Sequence, residues 1–234
     1  GTLGVFSEIE FRLMPAPKVL WGVMTFFPSE DSALRFVLQI RDDATRPAAI
    51  EFFDKGALNL LREQKRTNPA FGEIPDMPPP WHTAVYVEYH GDDEATVENA
   101  VMTMSGKMTE AGADGDATWL ASDEREMERL KKFRHAVPEA VNLRIDEKRK
   151  KEPGLTKLGT DLAVPDARLQ DVVAMYHRDL DPSGLEYVIF GHIGNNHLHV
   201  NIIPNTTAEY QRGKDLYLQW AHTVVGMGGT VSAE

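Results

Sequence analysis

The stretch LEYVIFGHIGNNHLHVNIIP, residues 185–204, constrains the fold more than any other part of the sequence. It contains two strand-like arms, 186–190 and 198–203, on either side of a turn rich in glycine and asparagine. Two apolar arms joined by such a turn are typical of a β-hairpin. We therefore predict a pair of antiparallel strands near the C-terminal end of the chain.

The rest of the chain alternates between strand and helix patterns. Strands are predicted at 8–13, 19–27, 48–54, 82–91 and 155–165. Helices are predicted after Ser29, over 57–65, after Asp92 or Asp93, after a Ser122 cap, around 172–176 and over 207–225, whereas 144–154 is predicted to be a charged loop. This order predicts an α+β fold that is ferredoxin-like, with a largely antiparallel sheet, helices on one face and additional elements.

Composition narrows the class of protein. The 234 residues include 36 acidic and 25 basic side chains, and the net charge of -11 argues against nucleic acid as a partner. Cysteine is absent, which excludes disulfides, thiolate catalysis and cysteine-ligated zinc. The sequence contains neither an apolar run of membrane-spanning length nor a recognisable signal peptide. We therefore expect a cytoplasmic protein, with a peripheral position at the inner membrane face as the alternative.

Three of the eight histidines lie within the predicted hairpin. His197, His199 and Asn201 are two residues apart, so their side chains point to one face of a strand. The turn could fold His192 back beside them. Such histidines either form hydrogen bonds on an edge strand or bind a metal, and a catalytic zinc site needs three protein ligands and one open position. Spacing alone does not select the carboxylate that would complete the site.

Four motifs resemble one family and occur in that family's order. FGHIGNNHLHVNIIP resembles the signature G-H-x-G-D-G-N-x-H-x-N of the C-terminal domain of FAD-linked oxidases, the group of D-lactate dehydrogenase, glycolate oxidase and D-2-hydroxyglutarate dehydrogenase. TDLAVP resembles the family's D-V-A-V-P, and GGTVSAE resembles the start of G-G-x-x-S-x-E-H-G-x-G. GTLGVFSEIEFRLMPAP resembles the end of the FAD-binding domain. The resemblance implies that residues 1–17 close an FAD-binding domain and that 18–234 form the substrate-binding domain.

The resemblance implies a divalent metal, with zinc the expected ion, held by His192, His199 and Glu234. It also places Asn201 beside the substrate. The family's candidate general base is a histidine that follows the motif glutamate, and this sequence ends at Glu234.

The motif departs from the family at three positions. Asn195, Asn196 and His197 stand where aspartate, glycine and asparagine are usual. The spacing of the two ligand histidines is retained, so the metal prediction is retained. Loss of the aspartate charge affects the surroundings of the ligands and the substrate range. His197 is either an extra ligand or a polar residue of the substrate wall, and we favour the wall.

The resemblance assigns further contacts outside the hairpin. Arg134 falls where the family has an arginine that binds the substrate carboxylate, a task that suits a guanidinium. Spacing alone favours an exposed helix arginine beside Lys131 and Lys132. Lys157 lies near a family lysine of similar role. Gly1 and Gly4, in the closing segment, are expected to contact the flavin.

The implied activity is FAD-dependent oxidation of a D-2-hydroxy acid, of the D-lactate, glycolate or D-2-hydroxyglutarate type, to the 2-oxo acid. The chain alone is expected to be inactive, and its expected partners are its own FAD-binding domain, an unidentified electron acceptor and a second copy in a homodimer. Three alternatives remain open. They are an enzyme of the alkyl-glycerone-phosphate synthase type, a non-enzymatic ferredoxin-like domain that binds a metal or ligand, and a stand-alone hydrolytic metalloenzyme.

Overall fold

The computed structural model describes residues 4–113 and 115–232, and within them the chain forms seven strands and six α-helices. The strands are β1 (Val19–Phe27), β2 (Ala49–Phe53), β3 (Thr83–Gly91), β4 (Thr118–Ala121), β5 (Leu158–Gly159), β6 (Tyr187–His192) and β7 (His197–Ile202). The helices are α1 (Glu30–Arg41), α2 (Lys55–Thr67), α3 (Glu94–Glu110), α4 (Glu124–Arg149), α5 (Leu169–Leu180) and α6 (Thr207–Gly226). Among these helices, none combines the length and the apolar composition needed to cross a membrane.

The seven strands form one sheet in the order β4-β1-β3-β2-β6-β7-β5. Every neighbouring pair is antiparallel, which confirms the predicted α+β class with an antiparallel sheet. The predicted hairpin is β6 and β7, in which Phe190 pairs with His199 and His192 pairs with His197.

The helices lie on both faces of the sheet, so the prediction of helices on one face is wrong. Val23 and Phe27 of β1 pack into a core with α1, α3, α5 and α6. Met24 and Phe26 of the same strand pack into a second core with α2 and α4. A strand buried on both faces carries a nearly continuous apolar run, and VLWGVMTFF in β1 is such a run.

The predicted strand at 8–13 is absent from the structure. The described residues 4–17 form neither strand nor helix, and large apolar side chains along them are exposed: Val5 (97%), Phe6 (89%), Phe11 (74%), Leu13 (86%) and Met14 (87%). Alternation of apolar and polar residues forms a strand only where a neighbouring strand accepts its hydrogen bonds. This segment has no such neighbour within the described residues.

Helix α4 is longer than predicted, because it continues through 144–149 instead of ending before a loop. Ile145 is buried in the second core, and Arg144 forms ion pairs with Glu63 and Glu186. The N-cap of α4 is Asp123 rather than the predicted Ser122. Strand β5 covers only two residues of the stretch predicted as strand at 155–165.

Candidate metal and substrate site

The hairpin brings three imidazoles together on the sheet face that carries α2 and α4. His192 ends β6, His197 begins β7, and the two are cross-strand partners. Leu198, Val200 and Ile202 point into the core on the opposite face. By alternation, His197, His199 and Asn201 point toward the α4 side.

Two backbone positions hold the hairpin in this form. Gly191 has φ +130°, and a Cβ there would lie 2.7 Å from Cδ2 of His199, so glycine permits the close approach of that ring. Asn196 has φ +54°, in the left-handed region that favours glycine but tolerates asparagine. Its side-chain oxygen accepts a hydrogen bond from Arg41, and its amide nitrogen donates to Asp166. The exchange of the family glycine for Asn196 therefore keeps the turn and ties it to α1.

The three rings are close enough to share one ion after small side-chain movements. The ring centroid of His192 lies 5.5 Å from the centroid of His197 and 5.5 Å from that of His199. The centroids of His197 and His199 are 4.4 Å apart. One ring nitrogen from each lies within 4.8 Å of the others. Two nitrogens bound at about 2.0–2.1 Å to one zinc ion can be at most about 4.2 Å apart. In a tetrahedral site such nitrogens lie about 3.4 Å apart, so the ring nitrogens need to approach by up to about 1.5 Å.

Hydrogen bonds fix the tautomers of two of these histidines. Nδ1 of His192 lies 2.9 Å from Oε1 of Glu51, and Nδ1 of His199 lies 2.9 Å from the carbonyl oxygen of Thr160. Both oxygens are acceptors, so Nδ1 carries the hydrogen in each ring, and in the neutral form of the ring Nε2 carries the lone pair. Metal-binding histidines usually have this type of oxygen partner on their second nitrogen.

His197 is the most buried of the three, with 5% of its side chain exposed. Burial, followed by the neighbouring His199, lowers the pKa of His197 below its ordinary value, so the ring is neutral at neutral pH. Nε2 of His197 lies 2.8 Å from Oδ1 of Asp161, although the two atoms are not aligned for a hydrogen bond. A neutral imidazole is the form that binds a metal.

Glu51 is a site residue that the sequence interpretation missed. It lies in the middle of β2, its side chain is 8% exposed, and Oε1 accepts hydrogen bonds from both His192 and Nη2 of Arg134, the latter at 2.6 Å. Arg134 extends from α4, and its guanidinium carbon is 5.0 Å from the ring centroid of Tyr86. The signal in the sequence was a single acidic residue inside the apolar strand AIEFF, because a buried charge requires a partner.

The remaining predicted site residues differ in their surroundings. Asn201 is buried, on the same face as His199, and pairs with Gly159 of β5. Lys157 is exposed just before β5 and forms no ion pair within the described part of the chain. Gly4 is exposed, with open space around it. Gly1 and Glu234 lie outside the described residues.

A polar cavity of about 640 Å³ opens beside His192. Its lining includes Arg41, Arg46, Glu51 and Asn195. Nε of Arg41 is buried and has no hydrogen-bond partner among the described residues. A small polar molecule can therefore reach His192 from the side of α1, past two guanidinium groups.

Several curated proteins resemble this chain in amino-acid sequence. The chain is 29% identical over 237 residues to "Probable D-lactate dehydrogenase, mitochondrial" of Danio rerio, covering 100% of this chain and 44% of that protein. It is 30% identical over 207 residues to D-2-hydroxyglutarate dehydrogenase of Escherichia coli, covering 86% of this chain and 19% of that protein. The chain thus spans less than half the length of these relatives.

Solved structures share the fold at low sequence identity. p-Cresol methylhydroxylase with substrate bound has a TM-score of 0.59 at 16% identity, covering 95% of this chain and 47% of that one. Alkyldihydroxyacetonephosphate synthase has a TM-score of 0.58 at 16% identity, covering 92% of this chain and 40% of that one. The sequence profile of one family, described as "FAD linked oxidases, C-terminal domain", matches residues 16–234. The chain therefore belongs to the C-terminal domain family of FAD-linked oxidases.

Proposed function

We propose that this chain is the substrate- and metal-binding domain of an FAD-dependent enzyme that oxidises a D-2-hydroxy acid to the 2-oxo acid. The observation that carries the proposal is that Glu51 links His192 to Arg134, while the ring of His199 lies beside that of His192. FAD is the cofactor that family membership implies. The relatives named for D-lactate and D-2-hydroxyglutarate support a 2-hydroxy acid as the substrate class.

The donor set fits a zinc-type ion. His192 and His199 each carry a lone pair on Nε2, and nitrogen donors suit zinc better than they suit magnesium or calcium. Glu234 would be the third ligand of the family arrangement. A bound divalent ion supplies a Lewis acid that lowers the pKa of a coordinated hydroxyl group.

Arg134 is proposed to hold the substrate carboxylate. A guanidinium has five N–H donors, and the described contacts of Arg134 use Nη2 toward Glu51. The remaining donors can bind a second carboxylate while Glu51 fixes the orientation of the group. Asn201 and Lys157 are proposed to contact the substrate from β7 and from the residue before β5. This domain therefore orients the substrate, whereas the flavin carries the redox chemistry.

The segment 1–17 is proposed to complete an FAD-binding domain, with Gly1 and Gly4 near the flavin. The exposure of Val5, Phe11 and Leu13 supports this, because large apolar side chains exposed in a row are typical of a surface that another domain covers. The chain alone is then inactive. The electron acceptor, the homodimer and the cytoplasmic or membrane-peripheral location remain predictions.

No contact among the described residues of the site favours a reaction of the alkyl-glycerone-phosphate synthase type. The likeness to that synthase, at 16% identity, concerns the fold. The relatives at 29% and 30% identity carry hydroxy-acid dehydrogenase names.

The test uses the full-length protein with its flavin bound. Mixing it anaerobically with a panel of D- and L-2-hydroxy acids should bleach the flavin absorption with at least one D-acid, and chelation of the metal should slow that reduction. Arg134→Ala should mainly raise KM, because a group that binds the carboxylate acts in both ground and transition states. Arg129→Ala, an exposed arginine on the same helix, is the matched control. Flavin that no D-2-hydroxy acid reduces would contradict the proposal.

A further inference from the structure

We propose that His197 is a third ligand of the metal rather than a residue of the substrate wall, so that this chain binds a divalent cation through three imidazoles. The inference rests on the metal site of the proposed function and goes beyond it, because the family motif has asparagine at this position.

The first argument is distance. His197 and His199 have the closest ring centroids of the three pairs, at 4.4 Å, although both rings also lie 5.5 Å from His192. One nitrogen of each ring lies within a common 4.8 Å. A wall residue would need only to approach the substrate, whereas this ring faces both of the other imidazoles.

The second argument is the oxygen partner on the outer nitrogen of each ring. Glu51 lies 2.9 Å from Nδ1 of His192, Thr160 O lies 2.9 Å from Nδ1 of His199, and Asp161 lies 2.8 Å from Nε2 of His197. An oxygen acceptor on the second nitrogen is the usual companion of a metal-binding histidine. The pattern is a hydrogen bond at His192 and His199, and at His197 it is a carboxylate in contact with Nε2 but not aligned for a hydrogen bond. The position of Asp161 beside Nε2 leaves Nδ1 of His197 as the nitrogen for the metal.

The third argument is the chemistry of the resulting set. Three imidazoles already supply the three protein ligands of an open zinc site, with one position left for substrate or water. Three neutral ligands leave the full +2 charge on the ion, whereas two imidazoles and a carboxylate leave +1. The ion in this chain is thus expected to depend less on Glu234, and it is the stronger Lewis acid when Glu234 does not bind it.

The experiment titrates the 234-residue chain with cobalt(II), followed by visible absorption, and with zinc, followed by calorimetry. His197→Asn restores the family residue and should lower the zinc affinity by about tenfold or more, since changes beyond the ligands already cost about 10–100-fold. It should also change the cobalt spectrum. Glu234→Gln should weaken binding less than His197→Asn does. His222→Asn, an exposed histidine on α6, is the matched control and should change neither affinity nor spectrum.

Asp161→Asn separates loss of a ligand from loss of the fold. It keeps all three rings and removes only the charge beside His197, so affinity should fall by about tenfold while the unfolding temperature without metal stays near that of the wild type. If His197→Asn binds zinc and cobalt as the wild type does while His199→Ala does not, His197 is not a ligand and the metal site of the proposed function stands. If the wild-type chain binds neither zinc nor cobalt, the ligand role of His197 and the metal site of the proposed function are both wrong.

Discussion

Two clusters of polar side chains in this molecule use histidine for opposite purposes. In the hairpin, His192, His197 and His199 face one another. In the second cluster, His177 of α5 faces carboxylates instead: Nε2 lies 2.7 Å from Oε1 of Glu30. The neighbours of each ring, rather than the ring itself, decide which role it takes.

The electrostatic outcome differs accordingly. The hydrogen bond from His177 to Glu30 and the contact with Asp181 raise the pKa of His177 to about 9, against the opposing effect of burial. Tyr187 completes the cluster by donating to Asp181 at 2.6 Å. A histidine that is a cation at neutral pH has hydrogens on both nitrogens and offers no lone pair to a metal. His177 therefore forms a structural ion pair with Glu30, whereas the hairpin histidines offer nitrogen lone pairs to a metal.

The largest effect that would test this contrast is the loss of metal-dependent stabilisation. Zinc at about 100 times its Kd should raise the free energy of unfolding by about 2.7 kcal/mol in the wild type. His199→Ala should abolish this gain, while His177→Ala should retain it. Thermal unfolding with and without zinc measures both. A zinc-dependent rise that survives in His199→Ala, or disappears in His177→Ala, would show that the two clusters are assigned the wrong way round.

A smaller loss of metal affinity should follow from changing Glu51, the carboxylate that accepts a hydrogen bond from His192 of the hairpin. Glu51→Gln keeps the shape of the side chain but removes the charge that His192 and Arg134 share. Metal affinity should fall by about 10–100-fold, which is about 1.4–2.7 kcal/mol, because the partner of a ligand orients it and raises its basicity. Calorimetric titration with zinc measures the change.

The matched control for Glu51 is Glu63→Gln. Glu63 also pairs with an arginine of α4, Arg144, but has no contact with the hairpin histidines among the described residues. Its loss should leave zinc affinity unchanged. Equal losses in the two variants would mean that Glu51 acts through general stability and not through His192.

The hairpin could be predicted from the sequence because its information is local. Alternation in HLHVNI and the turn before it determine which face the histidines share. Glu51 could not be predicted as their partner, since it lies 141 positions from His192 and 83 from Arg134. The helical continuation of α4 was missed for the same reason, because Arg144 finds its acidic partners on other elements.

The packing of helices on both faces was also beyond a local pattern. The run VLWGVMTFF indicates that both faces of β1 are buried but does not say which helices cover each face. That choice depends on the strand order β4-β1-β3-β2-β6-β7-β5, in which neighbours come from distant parts of the chain. Topology of this kind is set by global packing rather than by periodicity.

The smallest effect concerns the pH dependence of stability, and it tests the second cluster. The pKa of His177 is about 9 in the folded protein and about 6.5 in an unfolded chain. The folded state therefore binds this proton more tightly, so the stabilisation is complete below about pH 6.5 and is lost as pH rises through about 9. With partial solvent screening of a side chain that is 30% exposed, the contribution should be about 1–2 kcal/mol.

Urea unfolding at pH 6, 7.5 and 9.5 should show this loss of stability in the wild type but a flatter profile in Glu30→Gln. Asp31→Asn changes the adjacent exposed acid of the same first helical turn and should keep the wild-type profile, because its carboxylate has no hydrogen bond to His177. A wild-type stability that does not fall between pH 7.5 and 9.5, or a Glu30→Gln profile as steep as that of the wild type, would mean that His177 is not the cation that distinguishes this cluster from the hairpin.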